Sequence, residues 1–229
     1  MKLSATLFTA AMLLSPAFAA EPLLLTAADY PPTALLPSAP ADGSLEQKNE
    51  MAELKRIQKA MSAEAYAKAD HDDKTENVTF FADVLGPWFD LKTLPKTAAL
   101  FATLRAEEKA AAKAAKTTFL RNRPWVLNAA LKTCTRDDPQ QSSYPSGHAT
   151  MGYSFAVVLA QLVPEQAGAI LERAKTYAEN RLICGVHYRA DIVAGQVLGT
   201  TVAEELLANN AFKTQFDAAK IEIAAARSH

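Results

Sequence analysis

The segment from Ala149 to Leu162 limits the fold of this chain more than any other feature. Its sequence, ATMGYSFAVVLAQL, is largely apolar, and Pro164 follows it closely. The run is shorter than the roughly 20 apolar residues of a membrane-spanning helix. A helix that is apolar around most of its surface is typical of a protein interior. We therefore expect a buried helix here, packed among other helices of the same domain.

Helical patterns dominate the rest of the chain. Ser44 and Gln47 form a capping-box pattern at the start of a helix that runs from Leu45 to about Ala69. Further helices are predicted for Thr75 to Leu85, Pro95 to about Phe119, Glu165 to about Ile183, Ala190 to Leu207 and Asn210 to Ala226. No convincing alternating pattern predicts a strand. The predicted fold class is all-α, a compact helical bundle that forms one domain over residues 45–229.

The N-terminus has the pattern of a bacterial secretory signal peptide. Lys2, an apolar stretch and the small-x-small site Ala17-Phe18-Ala19 predict cleavage near Ala19, with an uncleaved anchor as the alternative. Residues 20–44 are rich in proline and predict an extended arm over the surface. We therefore expect a periplasmic or secreted chain, without an integral membrane segment once residues 1–19 are removed.

Charge and cysteine content narrow the partners and the chemistry. The formal net charge is −1, a balance that favours neither nucleic acid nor an anionic membrane as a partner. The chain has two cysteines, Cys134 and Cys184. In an exported chain such a pair is more typical of a disulfide than of two free thiols. Neither lies in a CxxC spacing, so the sequence does not indicate a zinc site.

Three short clusters carry residue types that suit an anion: KTTFLRNRP from Lys116, YPSGH from Tyr144 and NRLICGVHYRAD from Asn180. Pro124 favours an extended Arg123, whose guanidinium could then turn inward. Ser-Gly-His at the start of an apolar helix suits anion binding, although a cap and a turn explain the same residues. His187 and Asp191 are four residues apart, so a helix would place them on one face. There they would form either an orienting pair or an exposed salt bridge.

Taken singly, Lys116, Arg123 and Arg181 are most simply surface charges. The joint order is more specific: Lys, six residues, Arg-Pro; then Pro-Ser-Gly-His; then Arg, five residues, His, three residues, Asp. This order resembles the signature of the type 2 phosphatidic acid phosphatase superfamily, which also contains vanadium haloperoxidases. More narrowly, the clusters look like those of the class A bacterial nonspecific acid phosphatases, which are secreted helical enzymes. One departure is Asn180, where the family usually has Ser.

The resemblance implies an acid phosphatase/vanadium haloperoxidase-like fold and a metal-independent acid phosphatase of small phosphomonoesters that uses no cofactor. It implies that His187, oriented by Asp191, attacks phosphorus to form a phosphohistidine, while His148 protonates the leaving alkoxide. The phosphate-binding residues that it implies are Lys116, Arg123, Ser146, Gly147 and Arg181.

Three other functions stay open at this point. A vanadium-dependent haloperoxidase could use the same donors, because vanadate resembles phosphate in shape. A lipid phosphate or isoprenoid diphosphate phosphatase would keep the chemistry and change the substrate. A noncatalytic phosphate-binding protein is the third, although simple anion binding does not need a nucleophile with an orienting carboxylate. The sequence does not fix the oligomeric state, and a homo-oligomer is compatible with it.

Overall fold

The computed structural model describes residues 22–228, so the predicted signal peptide of residues 1–19 and the terminal His229 lie outside the described residues. Within this range the protein is all-α, as predicted, and contains no strand. The α-helices are α1 Pro32–Leu35, α2 Leu45–Ala60, α3 Ala63–Lys74, α4 Ala82–Leu85, α5 Pro95–Phe119, α6 Pro124–Leu127, α7 Gly147–Leu162, α8 Ala167–Ile183, α9 Arg189–Ala208 and α10 Asn210–Ala226. Two 3₁₀ turns, Val78–Phe81 and Pro164–Gln166, precede α4 and α8.

Helix α7 lies at the centre of the bundle and contains the apolar segment from which the fold was predicted. Most of its residues are buried, and α5, α8 and α9 pack around it. Its first turn is capped by Ser146, whose Oγ accepts a hydrogen bond from the Ala149 N–H at 3.3 Å. The prediction of a buried central helix is thereby confirmed.

Helices α7 and α9 approach each other closely because α9 carries glycines at their contact. A Cβ on Gly195 would lie 2.6 Å from the carbonyl oxygen of Ser146, and one on Gly199 would lie 2.2 Å from that of Thr150. Both distances are too short for a carbon atom, so only glycine permits this spacing. The contact also holds the start of α9 against the start of α7, where Ser146 N donates to the backbone oxygen of Asp191 at 2.9 Å.

Helix α5 has the bounds that the sequence predicted. Pro95 lies in its first turn, where a missing N–H leaves no hydrogen bond unmade. The helix ends at Leu120, which adopts the left-handed conformation with φ 47°. Its buried face packs against α7 and α10, and its last turn carries Lys116.

Two predicted helices differ from those observed. The helix expected from Leu45 to Ala69 is interrupted, because Met61 is extended and Ser62 Oγ accepts from Ala65 N at 3.0 Å, which starts α3. The helix expected from Thr75 to Leu85 is instead a 3₁₀ turn followed by α4. Its start is delayed because the Asn77 side chain accepts from Thr79 N at 2.9 Å.

The described part of the N-terminal arm, residues 22–44, lies on the helical domain. It has little regular structure apart from α1. Leu25, Tyr30 and Leu36 are nevertheless buried in the same hydrophobic core as the helices. The arm is also held by Tyr144, whose hydroxyl donates to the carbonyl of Pro37 at 2.8 Å.

Cys134 and Cys184 form the predicted disulfide, with their Cα atoms 5.0 Å apart. It joins the loop before α7 to the end of α8, and the two cysteines are 50 positions apart in the chain. Closing a loop of this length stabilises a folded chain by about 4 kcal/mol in the chain-entropy account. Among the described residues, no helix has the length and apolar character needed to cross a membrane.

Candidate active site

Several helix ends meet at the floor of a cavity of about 840 Å³. The cavity is lined by α5 and by the loop of residues 138–142, among other elements. Five of the predicted site residues line this cavity: Lys116, Arg123, Gly147, His148 and His187. The other three are buried: Ser146 N donates to the Asp191 backbone oxygen, the Asp191 carboxylate accepts from Arg121, and Arg181 donates to Asp73. The three separate sequence clusters therefore converge on one place.

His187 and Asp191 form a pair, although not on one face of a helix as the spacing predicted. His187 precedes α9, Tyr188 is the N-cap, and Asp191 is the third helical residue. The Asp191 carboxylate turns back to accept from Tyr188 N at 2.8 Å, and the same Oδ2 lies 3.3 Å from His187 Nδ1. The carboxylate thus caps α9 and contacts the imidazole with one oxygen.

The tautomer of His187 follows from its second neighbour. Its Nε2 lies 3.4 Å from Arg123 Nη1. A guanidinium can only donate, so Nε2 must present its lone pair, and the proton must lie on Nδ1, facing Asp191. Burial and the nearby charges of Arg123 and Lys116 hold the pKa of His187 well below its ordinary value. The free protein therefore holds a neutral imidazole with its lone pair directed at a cation.

Asp191 also has a cationic partner that the sequence analysis did not identify. Arg121 Nη1 donates to Asp191 Oδ1 at 2.6 Å, and the Ser143 hydroxyl donates to Oδ2 at 2.6 Å. Burial raises the pKa of Asp191, and the charge of Arg121 opposes this shift. Arg121 is itself buried, pairs with Glu50 and lies over the Tyr188 ring at 4.1 Å. Its only signal in the sequence was its place two residues before Arg123.

Arg123 adopts the extended conformation that Pro124 predicted, with φ −70° and ψ 153°. Its guanidinium is buried, donates to the carbonyl of Val186 at 3.1 Å and pairs with Asp138 at 3.1 Å. Lys116 Nζ donates to the carbonyl of Ser142, which also accepts from Arg123 at 3.3 Å. Burial and the charge of Arg123 lower the pKa of Lys116 to about 7. Two cations therefore share one corner of the cavity.

Arg181 supplies a third cation from the last turn of α8. Its side chain is buried and pairs with Asp73 at the end of α3, and its Nε has no partner among the described residues. The neighbouring Asn180, the departure from the family pattern, donates to Asp72 Oδ2 at 2.7 Å. The Asn180 side chain is therefore engaged with α3 and does not line the cavity.

His148 lies on the cavity wall, on the same side as Asp73. Its Nε2 is 3.1 Å from the Asp73 carbonyl oxygen, which can only accept, so this nitrogen carries the proton in the neutral ring. Its ring stacks on Tyr177 with centroids 5.6 Å apart. Burial and the charge of Arg181 hold the pKa of His148 well below its ordinary value. Glu76 Oε1 lies 3.8 Å from Nε2, a further neighbour that the sequence analysis missed.

The start of α7 contributes backbone donors. The N–H groups of Gly147 and His148 lie in its first turn, and neither donates to another residue in the described part of the chain. Free N–H groups at a helix N-terminus bind anions well, because the helix dipole adds to their donor strength. The cap and the anion site proposed for PSGH are therefore compatible.

The sequence profile of the PAP2 superfamily matches residues 97–213, about half of the chain. The chain belongs to the PAP2 superfamily. A relative from Providencia stuartii, "Non-specific acid phosphatase", is 30% identical over 198 residues, covering 83% of this chain and 80% of that enzyme. The "Acid phosphatase" of Zymomonas mobilis is 32% identical over 152 residues, covering 65% of this chain. The match spans only 57% of that enzyme's own length.

The crystal structure of Aquifex aeolicus LpxE is similar in fold, with a TM-score of 0.54 at 18% identity, and the match covers 68% of this chain and 92% of that one. The PAP2 match contains the site residues from Lys116 to Asp191. Asp73 and Glu76, which contact Arg181 and His148, precede it. The narrower assignment to class A stays a prediction.

Proposed function

We propose that this protein is a metal-independent acid phosphatase that hydrolyses small phosphomonoesters through a phosphohistidine on His187. The observation that carries the proposal is the lone pair of His187 Nε2, which faces a corner formed by Arg123 and Lys116. The similarity to proteins named non-specific acid phosphatase supports the same activity. Phosphoryl transfer depends chiefly on positioning and on charge stabilisation, which these side chains can supply without a cofactor.

In the first step, the phosphate dianion of the substrate binds Lys116, Arg123, Arg181 and the N–H groups at the start of α7. His187 Nε2 attacks phosphorus, a P–N bond forms and the P–O bond to the leaving group breaks. Asp191, held by Arg121, stabilises the positive charge that develops on the imidazole. Protonated His148 donates the proton on Nδ1 to the leaving alkoxide and becomes neutral, while its Nε2–H stays on the Asp73 carbonyl and fixes the orientation of the ring.

In the second step, water attacks the phosphohistidine. His148, now neutral, accepts a proton from the water, the P–N bond breaks and its electron pair returns to Nε2 of His187. The products are inorganic phosphate and an alcohol, and both histidines return to their starting states. Ser146 contributes by capping α7 and so holding Gly147 and His148 at the anion.

The pH dependence follows from the charge of the bound substrate. In the empty cavity, burial and Arg181 lower the pKa of His148, which opposes the protonated form that the first step needs. A bound dianion raises this pKa, because it favours a positive charge beside it. We therefore expect kcat to fall as pH rises past the pKa of His148 in the complex, and we expect an optimum at acid pH.

The predicted signal peptide at residues 1–19 supports a periplasmic or secreted location, where small phosphate esters from outside the cytoplasm would be the substrates. Lipid phosphates remain a second substrate class with the same chemistry. A substrate panel in the presence of EDTA separates the two classes and also tests independence from metal. Added vanadate is expected to inhibit, and bromide oxidation with peroxide would instead favour a haloperoxidase.

The decisive variant is His187→Ala, which should abolish release of phosphate from p-nitrophenyl phosphate and prevent acid-labile labelling of the protein by a radioactive phosphate ester. His71→Ala is the matched control, since His71 is exposed on α3 and does not line the cavity. Near wild-type turnover by His187→Ala would overturn the mechanism. Tight phosphate binding without hydrolysis by the wild type would overturn the proposed activity.

A further inference from the structure

Helix α5 carries a row of four cations along the wall of the cavity: Arg105, Lys109, Lys113 and Lys116. At 100° per residue they fall within about 80° of one another around the helix, and at 1.5 Å per residue they extend over about 16 Å. We refer to these four residues as the α5 row. The proposed mechanism uses Lys116 and leaves the other three without a role.

The α5 row runs from the corner formed by Lys116 and Arg123 to the surroundings of His148, the proposed general acid. At one end, Lys116 shares the Ser142 carbonyl with Arg123, which contacts His187. At the other end, Arg105 pairs with Glu76 at 2.7 Å, and Glu76 lies 3.8 Å from His148. His187 attacks from one side and His148 protonates the group that leaves on the other. Lys109 and Lys113 lie between these two ends of the row and line the same cavity.

The carboxylates of the cavity do not neutralise these two lysines. Glu76 and Glu108 both pair with Arg105, and Asp138 pairs with Arg123. Burial raises the pKa of Glu108 to about 8, and the charge of Arg105 opposes this shift. Lys109 and Lys113 are exposed and form no ion pair with another described residue. Their positive charge is thus available to a ligand in the cavity.

We propose that Lys109 and Lys113 form a subsite for a second anionic group on the leaving group, so that the protein favours phosphomonoesters that carry another phosphate. Lys109 lies about 10 Å along α5 from Lys116, a separation that suits two phosphates joined by a sugar. The long, flexible stems of the lysines allow them to follow leaving groups of different shape. This inference rests on the proposed phosphatase activity, because it assigns the direction of the leaving group from His148.

The test compares phosphate release from fructose 1,6-bisphosphate and fructose 6-phosphate by the full chain. The ratio of the two kcat/KM values is measured for the wild type, for Lys109→Gln/Lys113→Gln and for a control with the same change of charge, Lys59→Gln/Lys220→Gln. The control lysines are exposed and lie outside the cavity. We expect the wild type to favour the bisphosphate beyond the statistical factor of about two, and the cavity variant to lose about fivefold to tenfold of this ratio.

An arginine pair, Lys109→Arg/Lys113→Arg, should keep most of the preference, since it keeps the charge. An unchanged ratio in the glutamine variant, or an equal change in the control, would overturn the subsite. Absence of hydrolysis by the wild type would instead refute the proposed function. In that case the subsite is still tested by binding. The affinities of the two sugar phosphates are measured by calorimetry for His187→Ala and for the same variant with the two glutamine substitutions. If the glutamines weaken the binding of both sugar phosphates equally, the subsite is contradicted.

Discussion

Arg121 offers the sharpest test of how the site keeps His187 reactive. Its guanidinium donates to Asp191 at 2.6 Å, and both side chains are buried. Replacing it by glutamine keeps an amide donor and removes the charge. An opposite charge this close lowers the pKa of an aspartate by about 1–3 units, so Arg121→Gln should raise the pKa of Asp191 by about that amount. A protonated Asp191 no longer carries the negative charge that offsets the positive charge developing on His187 when its Nε2 attacks phosphorus.

The expected signature is a shift of one limb of the pH profile. We expect the acidic limb of kcat in Arg121→Gln to move upward by about 1–3 pH units, with activity recovering as pH rises. The alkaline limb, which reports His148, should stay in place. Losing one partner of a buried ion pair also destabilises the fold by about 3–5 kcal/mol, so rates must be measured well below the unfolding temperature.

Glu50→Gln is the matched control. It removes the other carboxylate bound to Arg121 but leaves Arg121 against Asp191. Its acidic limb should move much less than that of Arg121→Gln. If the rate of Arg121→Gln is reduced by the same factor at every pH, Arg121 acts only through stability, and the argument that it keeps Asp191 ionised is refuted.

Two further predictions concern stability. Gly199→Ala should destabilise the protein by about 1–3 kcal/mol, because its Cβ would lie 2.2 Å from the Thr150 carbonyl oxygen. The control Gly168→Ala should be harmless, because a Cβ there meets nothing within 4 Å. Equal urea midpoints for the two variants would contradict the packing argument. His148 has a pKa well below that of an unfolded histidine, so the unfolded state binds the extra proton as pH falls below about 6.5. We compare the unfolding free energy of the wild type with that of His148→Gln. The difference should be constant above about pH 6.5, and below this pH the wild type should lose about 1.4 kcal/mol per pH unit relative to the variant. Parallel pH curves for the two proteins would show that His148 is not held neutral.

The helices that could be predicted most accurately are those with local signals at both ends. Pro95 marks the start of α5, and α7 lies between Ser146 and Pro164. Helix boundaries were predicted wrongly where a short polar side chain caps a new element inside a segment that has continuous helical periodicity. Ser62 and Asn77 each accept a backbone hydrogen bond and so start new elements. Their side chains looked like ordinary polar positions of a longer helix.

The three clusters that the sequence analysis singled out come together in the structure, but the geometry of the candidate site was not predicted. The spacing of His187 and Asp191 suggested one helical face, whereas the carboxylate reaches back across the N-cap of α9. Asn180, which stands where the family usually has Ser, donates to Asp72 on α3. In both cases the spacing along the chain was informative, and the direction of the side chain was not.

The sequence by itself determined the all-α class, the buried central helix, the pair of cysteines and the three clusters that carry Lys116, His148 and His187. These follow from periodicity, from caps and from spacings that act within a few residues. Only the tertiary structure placed Arg121 on Asp191, which is 70 positions away, and Asp73 on Arg181, which is 108 positions away. Such pairs depend on how helices pack against one another, and no local pattern encodes the partner of a buried charge. The same packing turned the four cations of α5 toward one cavity.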